Sequence, residues 1–386
     1  MSQKILISAG EASGDLHAAN MLRVIKQKHP DIKAYAMGGD KLREAGAEVK
    51  IDCAELAVIG LIEVLKNYRK IKAALEELKT FVREERPDLV ILVDYQEFNM
   101  KLSAYAKSLG VKTLFYIGPQ VWAWRSHRVN KMRERIDMMA VLFPFEVDFY
   151  EEANVPVRFV GNPLVDEVYA TSDKQALLDK FELSQIASDK KIVGLFPGSR
   201  KSEIKRLLPT QFAAAATLAS ERSDIHFVLA VASTLSKQDL AEQVKELEQQ
   251  YGKLSISLIK DKSYDIMHIS DAVITASGTA TLEMALMQVP FVIVYKTAWL
   301  TYHIVKRMIK IDNIGLVNIV AEKQIIKELI QAEANSQAIA DEVNKLLDEP
   351  SYRQKMINNL SAVKAKLGKS GGSEAVADLA IEMLVS

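Results

Sequence analysis

Short apolar, β-branched runs alternate with longer segments of helical period along most of the chain, and this alternation narrows the fold more than any other feature. Such alternation builds βαβ units, and these close into parallel sheets covered by helices. In the first half the pattern predicts strands over Lys4–Ser8, Lys33–Met37, Leu89–Val93, Lys112–Tyr116, Met138–Leu142 and Val157–Val160. Helices are predicted between them, as over Leu16–Lys28, Leu61–Glu84 and Ser126–Arg135. The pattern pauses across Pro163–Lys190, a polar helical stretch. It restarts at Ile192–Phe196 and continues through Phe227–Val231, Leu254–Leu258, Ala272–Thr275 and Phe291–Tyr295. From about Lys323 the chain is almost wholly helix-forming and reads as a closing helical cap. The fold class is therefore α/β, with two Rossmann-like domains joined near residues 164–190. A length of 386 residues also favours two cores over one.

Charge and composition exclude several functions. Fifty Lys and Arg balance fifty Asp and Glu, whereas a dedicated nucleic-acid binder carries a basic excess. The single Cys53 leaves no intramolecular disulfide and no Cys-rich metal site, which fits a reducing compartment. The six His residues show no metal-ligand spacing, so neither a protein-held metal nor a cofactor is expected. Met1-Ser2-Gln3-Lys4 leads into a run of strand length, not a signal peptide, and no stretch has the apolar length of a bilayer span. The expected place is the cytoplasm, with attachment to a membrane surface still open.

In open parallel sheets ligands bind at the carboxyl ends of strands, so the loops directly after strands carry the functional information. After the first strand comes Ser8-Ala9-Gly10-Glu11-Ala12-Ser13-Gly14-Asp15, whose glycines admit a ligand to the backbone and whose following helix favours an anion. It is neither G-x-G-x-x-G nor a Walker A loop. A plain turn with Asp15 on the helix dipole fits as well. Pro197-Gly198-Ser199-Arg200 opens the second domain: Gly198 permits close approach, Ser199 supplies a hydroxyl, and Arg200 can fork onto a phosphate. A β-turn with a solvated Arg is the simpler alternative. In Ser277-Gly278-Thr279-Ala280-Thr281-Leu282-Glu283 the small residues leave helix N–H groups for a diphosphate. The spacing misses a capping box, because Leu282 lies three after Thr279 and Ala280 three before Glu283. That leaves Glu283 placed to bind a ribose diol.

Asp94-Tyr95-Gln96-Glu97-Phe98-Asn99 follows the first domain's most hydrophobic strand, and Asp94 and Glu97 are general-base candidates, with N-capping by Asp94 or Asn99 as the alternative. In Gly118–Lys131, Trp122 and Trp124 stand beside Arg125, His127 and Arg128, an apolar wall next to an anion site. Single-stranded nucleic acid is disfavoured there by the balanced charge. Along Gly60–Leu78 an apolar stripe of Leu61, Leu65, Tyr68, Ile71, Leu75 and Leu78 opposes Lys66, Arg69, Lys70 and Lys72. Such a helix either lies in a membrane interface or covers a Rossmann sheet.

Taken in order, Gly10–Asp15, Gln120-Val121-Trp122-Ala123-Trp124-Arg125, Phe143-Pro144-Phe145-Glu146, Pro197–Arg200 and Ser277–Glu283 resemble the lipid-A-disaccharide synthases. The resemblance implies a GT-B fold, two Rossmann-like domains facing across a cleft. It implies inverting, metal-independent transfer from UDP-2,3-diacylglucosamine to 2,3-diacylglucosamine 1-phosphate, giving a β-1′,6-linked disaccharide and UDP. It also implies peripheral attachment to the cytoplasmic face of the inner membrane, often as a homodimer. The domain reading is 1–165 for the acceptor, joined by a C-terminal helix 370–386, then a linker 166–189 and a donor domain 190–369. Gly198, Ser199, Arg200, Ser277, Gly278, Thr279, Glu283 and Asn318 are assigned to UDP, with Arg200 matching the family's diphosphate-contacting Arg and Asn318 the Asn of its Leu-Pro-Asn segment. Ser13, Gly14, Trp124, Arg125 and Arg128 are assigned to the acceptor.

Three places depart from the family pattern. Asp94-Tyr95-Gln96-Glu97-Phe98-Asn99 stands where Asp-x-Pro-Asp-Phe-Asn or Asp-x-Pro-Gly-Phe-Asn is usual, Asn162 where His is common, and Val317 where Pro is. The first leaves Glu97 or Asp94 as the base. Rival readings are another GT-B UDP-N-acetylhexosamine transferase or epimerase, and a non-catalytic nucleotide-sugar binding protein.

Overall fold

A computed structural model describes residues 2–55, 61–119, 121–124, 128–297 and 313–386, with only the backbone course for residues 55, 61–68, 123 and 124. The chain divides into two compact units: Met1–Asp166 with Leu367–Ser386, and Glu167–Lys366. Helices Lys174–Lys180 and Ser184–Asp189 belong to the second.

The first unit holds β1 (Lys4–Ala9), β2 (Lys33–Gly38), β3 (Glu48–Asp52), β4 (Leu89–Val93), β5 (Lys112–Tyr116), β6 (Met138–Val141) and β7 (Val157–Phe159), in the order β3-β2-β1-β4-β5-β6-β7. The second holds β8 (Lys191–Phe196), β9 (Ile225–Val231), β10 (Ile256–Lys260), β11 (Ala272–Ala276), β12 (Phe291–Tyr295) and β13 (Glu328–Ile330), in the order β10-β9-β8-β11-β12-β13. Every pairing is parallel. The central strands are apolar at successive positions because both faces of a parallel sheet are covered. β4, Leu-Val-Ile-Leu-Val, is buried throughout.

On one face of the first sheet, Ala18, Leu22 and Ile25 of helix Ala12–Lys28 meet Val376, Leu379 and Met383 of helix Gly372–Val385. On the other, Leu75, Leu78 and Val82 of helix Leu61–Glu85 pack beside Phe98 and Leu102 of helix Gln96–Ser108. The described half of the amphipathic stripe therefore covers the sheet, while Arg69, Lys70 and Lys72 are exposed.

In both sheets the strand order reverses at the first strand: β1 lies between β2 and β4, and β8 between β9 and β11. Such switch points part the loops on either side and open a crevice at the strand ends. They set the loops after β1 and β4 side by side, and likewise those after β8 and β11. Two strands escape the sequence pattern, β3 and β13, both on sheet edges. The tail from Lys323 is accordingly not wholly helical: β13 precedes helices Ser336–Asp348 and Pro350–Lys366.

Candidate active site

The loops after β8 and β11 close a cavity of about 410 Å³ whose wall includes Gly198, Ser199, Arg200, Ser277, Gly278, Thr279 and Glu283. Gly198 takes φ +117°, and a Cβ there would run into the Glu203 side chain. Only glycine allows that approach. Glu203, in the first turn of helix Lys201–Glu221, accepts the backbone N–H groups of Ser199 at 2.9 Å and Arg200 at 3.2 Å. Thr234 donates to the Ser199 carbonyl at 2.7 Å. The backbone of the turn is thus held fast while the Arg200 side chain stays 77% exposed, 3.6 Å from Glu203. A rigid base under a solvated guanidinium suits capture of a phosphate.

Across the cavity, Gly278 has open space where a Cβ would be. Thr279 is the N-cap of helix Ala280–Met287 but makes no side-chain cap; the N–H groups of Thr281 and Leu282 go to the carbonyls of Gly278 and Thr279, which leaves that of Ala280 for a ligand. Ser277 donates its hydroxyl to the Ile314 carbonyl at 3.0 Å. Burial pushes the Glu283 carboxyl up to about 7, helped by the charge of Glu167 and opposed by a hydrogen bond with Tyr264. A half-buried acid with no ion pair among the described residues is poised to accept hydroxyl donors.

Asn318 stands apart from this wall. It is fully buried, accepts the N–H groups of Ile325 and Ile326 at 2.8 and 2.9 Å, and donates to the Ile326 carbonyl and to Glu328. Its amide is occupied by its own loop.

In the first unit the loops after β1 and β4 interlock: a Cβ on Gly10 would collide with the Tyr95 ring. Asp94 and Tyr95 both adopt left-handed backbone, at φ 50° and 46°. Two successive non-glycine residues there cost on the order of 1–3 kcal/mol each. Asn99 holds the strained turn, donating to the carbonyls of Asp94 at 2.7 Å, Ser8 at 3.2 Å and Val93 at 3.3 Å, and accepting the Ser8 hydroxyl at 2.6 Å. Burial raises the Asp94 carboxyl above its usual range, and the charge of Glu11 adds to this. Glu97 is 68% exposed and ion-paired with Arg128. Ser13 is exposed in the first turn of its helix and Gly14 is buried against Val93. Asp15 accepts the N–H groups of Gly39, Lys41 and Leu42, so it is part of the scaffold. Arg125 and the Trp124 side chain lie outside the described residues.

Comparison with known proteins extends over the same ground. The sequence matches the lipid-A-disaccharide synthetase family over residues 5–378. The chain belongs to that family. It is 45% identical over 383 residues to the lipid-A-disaccharide synthase of Geobacter sulfurreducens, covering 99% of this chain and 98% of that one. Among solved structures, a putative UDP-N-acetylglucosamine 2-epimerase from Listeria monocytogenes aligns with a TM-score of 0.64 at 14% identity, over 99% of this chain and 96% of that chain. The UDP-GlcNAc 2-epimerase of Neisseria meningitidis gives 0.62 at 14%, over 99% and 100%. The shared architecture is the GT-B one, two Rossmann-like domains.

Within this lipid-A-disaccharide synthetase family member, sequence reasoning alone does not single out the supports of the site. Glu203, Asn99 and Glu328 each bind backbone across a loop. The one legible signal is an acid three residues after Arg200, a capping spacing that fails at Glu283.

Proposed function

We propose that the chain joins UDP-2,3-diacylglucosamine to 2,3-diacylglucosamine 1-phosphate, giving lipid A disaccharide 1-phosphate and UDP. One observation carries the donor half: Gly198, Ser199, Arg200, Ser277, Gly278, Thr279 and Glu283, from two loops far apart in sequence, line one cavity in a chain that matches the lipid-A-disaccharide synthetase family almost end to end. In this reading Glu283 accepts the ribose hydroxyls, and Arg200 with the N–H at the start of helix Ala280–Met287 holds the diphosphate.

Asp94 is the preferred base. It is more buried than Glu97, it is free of the cation that Glu97 carries, and its raised affinity for a proton suits proton abstraction. As the acceptor's 6-oxygen bonds to the anomeric carbon, its proton passes to Asp94 and the bond to the UDP oxygen breaks. Negative charge then grows on the diphosphate, where Arg200 and that helix N–H stabilise it. Arg128, with Trp124, Ser13 and Gly14, is assigned to the acceptor.

Both substrates carry acyl chains, which favours work at a membrane surface; we place the protein peripherally on the cytoplasmic face of the inner membrane, as a homodimer. No helix among the described residues is long and apolar enough to cross a membrane. Flotation with anionic vesicles and sizing in solution test these two points. The reaction itself is tested by incubating the protein with both acylated sugars and following the products by mass spectrometry. Disaccharide with equimolar UDP is expected. An epimerised UDP-sugar, or UDP binding without turnover, overturns the reading.

A further inference from the structure

Glu146 is a carboxylate that this mechanism does not use, yet it is only 5% exposed. It lies in the first turn of helix Phe145–Glu152, just after β6. One of its oxygens, Oε2, accepts the backbone N–H groups of Leu142 and Phe143, each at 3.1 Å. That pair is local turn chemistry. The other oxygen, Oε1, accepts the indole N–H of Trp122 at 3.1 Å, from a residue 24 positions earlier on the preceding crossover. No local need of the turn accounts for this second bond.

Helix Phe145–Glu152 grips the loop after β5 at further points. Phe145 packs edge-on against Trp122, with ring centroids 5.0 Å apart. The Tyr150 hydroxyl donates to the Pro119 carbonyl at 3.4 Å. The loop itself is tightly bent, with Ile117 at φ 58° and a Gly118 where a Cβ would collide with Met139. Trp122 and Trp124 share the short helix Val121–Trp124.

We propose that Glu146 is a positioning residue for acceptor recognition: by holding Trp122 it fixes the short helix Val121–Trp124 that carries Trp124. The proposal rests on the acceptor role given to Trp124 above. It also accounts for an acid at this position. Three N–H donors converge on Glu146, and an amide in its place turns a donor toward the indole or toward the backbone pair.

The test is steady-state kinetics on the full chain, varying each substrate in turn. Glu146→Gln should raise the acceptor KM about tenfold or more, because small displacements of a binding loop are costly. The donor KM should stay within about twofold, since the donor cavity draws on none of these residues. Trp122→Phe, which removes the same hydrogen bond from the other side and spares the Glu146 turn, should raise the acceptor KM similarly. The double variant should be no worse than either single one, because both break one linkage. Acceptor KM unmoved in Trp122→Phe, donor and acceptor KM rising together, or fully additive effects each overturn the proposal. Wild-type turnover accompanied by any of these results leaves the proposed reaction standing, whereas wild-type chain that makes no disaccharide overturns that reading and this one with it.

Discussion

Asp94 and Glu97 share one loop but sit in opposite environments, and the difference predicts opposite mutational outcomes. On the proposed mechanism Asp94→Asn removes the base from a strained, half-buried turn, so kcat should fall by about 10²–10⁴-fold while UDP-sugar binding persists. Glu97→Gln removes an exposed partner of Arg128 and should leave kcat within about tenfold of wild type, a modest loss typical of exposed ion pairs. A Glu97→Gln loss as deep as that of Asp94→Asn would reverse the assignment. Glu283 adds a pH dependence. Its carboxyl rises from 4.5 to about 7 in the folded chain, so the ligand-free fold favours the protonated form and loses stability as pH climbs through that interval. In the proposed donor site the ionised form is the one that accepts two ribose hydroxyls. Affinity for a UDP-sugar, whose diphosphate does not titrate in this range, should therefore increase as pH rises through about 7, and Glu283→Gln should flatten the curve. Calorimetric titration between pH 5.5 and 8.5 checks it. The glycine and hydroxyl residues of this cavity are legible in sequence because their types are unusual directly after a strand. Asn99 is not, since it reaches to Ser8 on β1, and Glu203 shows only through its capping spacing from Arg200.

At the scale of elements, legibility follows burial. The central strands β1, β4, β8 and β11 announce themselves as continuous apolar runs. β3, Glu-Val-Lys-Ile-Asp, carries charge at alternate positions on a sheet edge, and β13 has only three residues. Neither has enough apolar content to stand out, and both exist because a neighbouring strand offers a ladder. The loop between Ile314 and β13 illustrates the same limit. Glu328 accepts the N–H groups of Ile314 and Gly315, each at 2.9 Å, and the Asn318 amide at 2.7 Å. Sequence reading assigns Asn318 to UDP, while its hydrogen bonds describe a clamp. Asn318→Ala leaves the N–H groups of Ile325 and Ile326 without their acceptor, and each buried orphan costs about 1–3 kcal/mol. The variant should lose at least about 2 kcal/mol in urea denaturation. UDP-sugar affinity should weaken as a consequence, through the Ser277–Ile314 bond that ties this loop to the cavity wall.

For the whole molecule, the decisive feature is that the chain leaves its first core at Asp166 and returns to finish it at Leu367. Helix Gly372–Val385 places Val376, Leu379 and Met383 in that core, and its flank is tied by ion pairs from Lys28 to Glu374 and Asp378. Burying each of those three side chains is worth about 1.5–3 kcal/mol. Together they approach the total stability of an ordinary domain, roughly 5–15 kcal/mol. Exposed ion pairs add little to this sum. The second unit needs no such return, and among the described residues its cavity is lined by residues from Phe196 to Glu283. A fragment spanning 167–366 should therefore fold cooperatively and bind UDP-sugar, while one ending at 166 should not fold. Within the full chain, Leu379→Ala should cost about 2–5 kcal/mol, and the loss should fall on the first unit. Hydrogen exchange resolves the two: protection should drop across β1 and β4 while β8 and β11 keep theirs. Equal loss in both sheets would mean that the units unfold as one, and the separate stabilities argued from their separate cores would not hold.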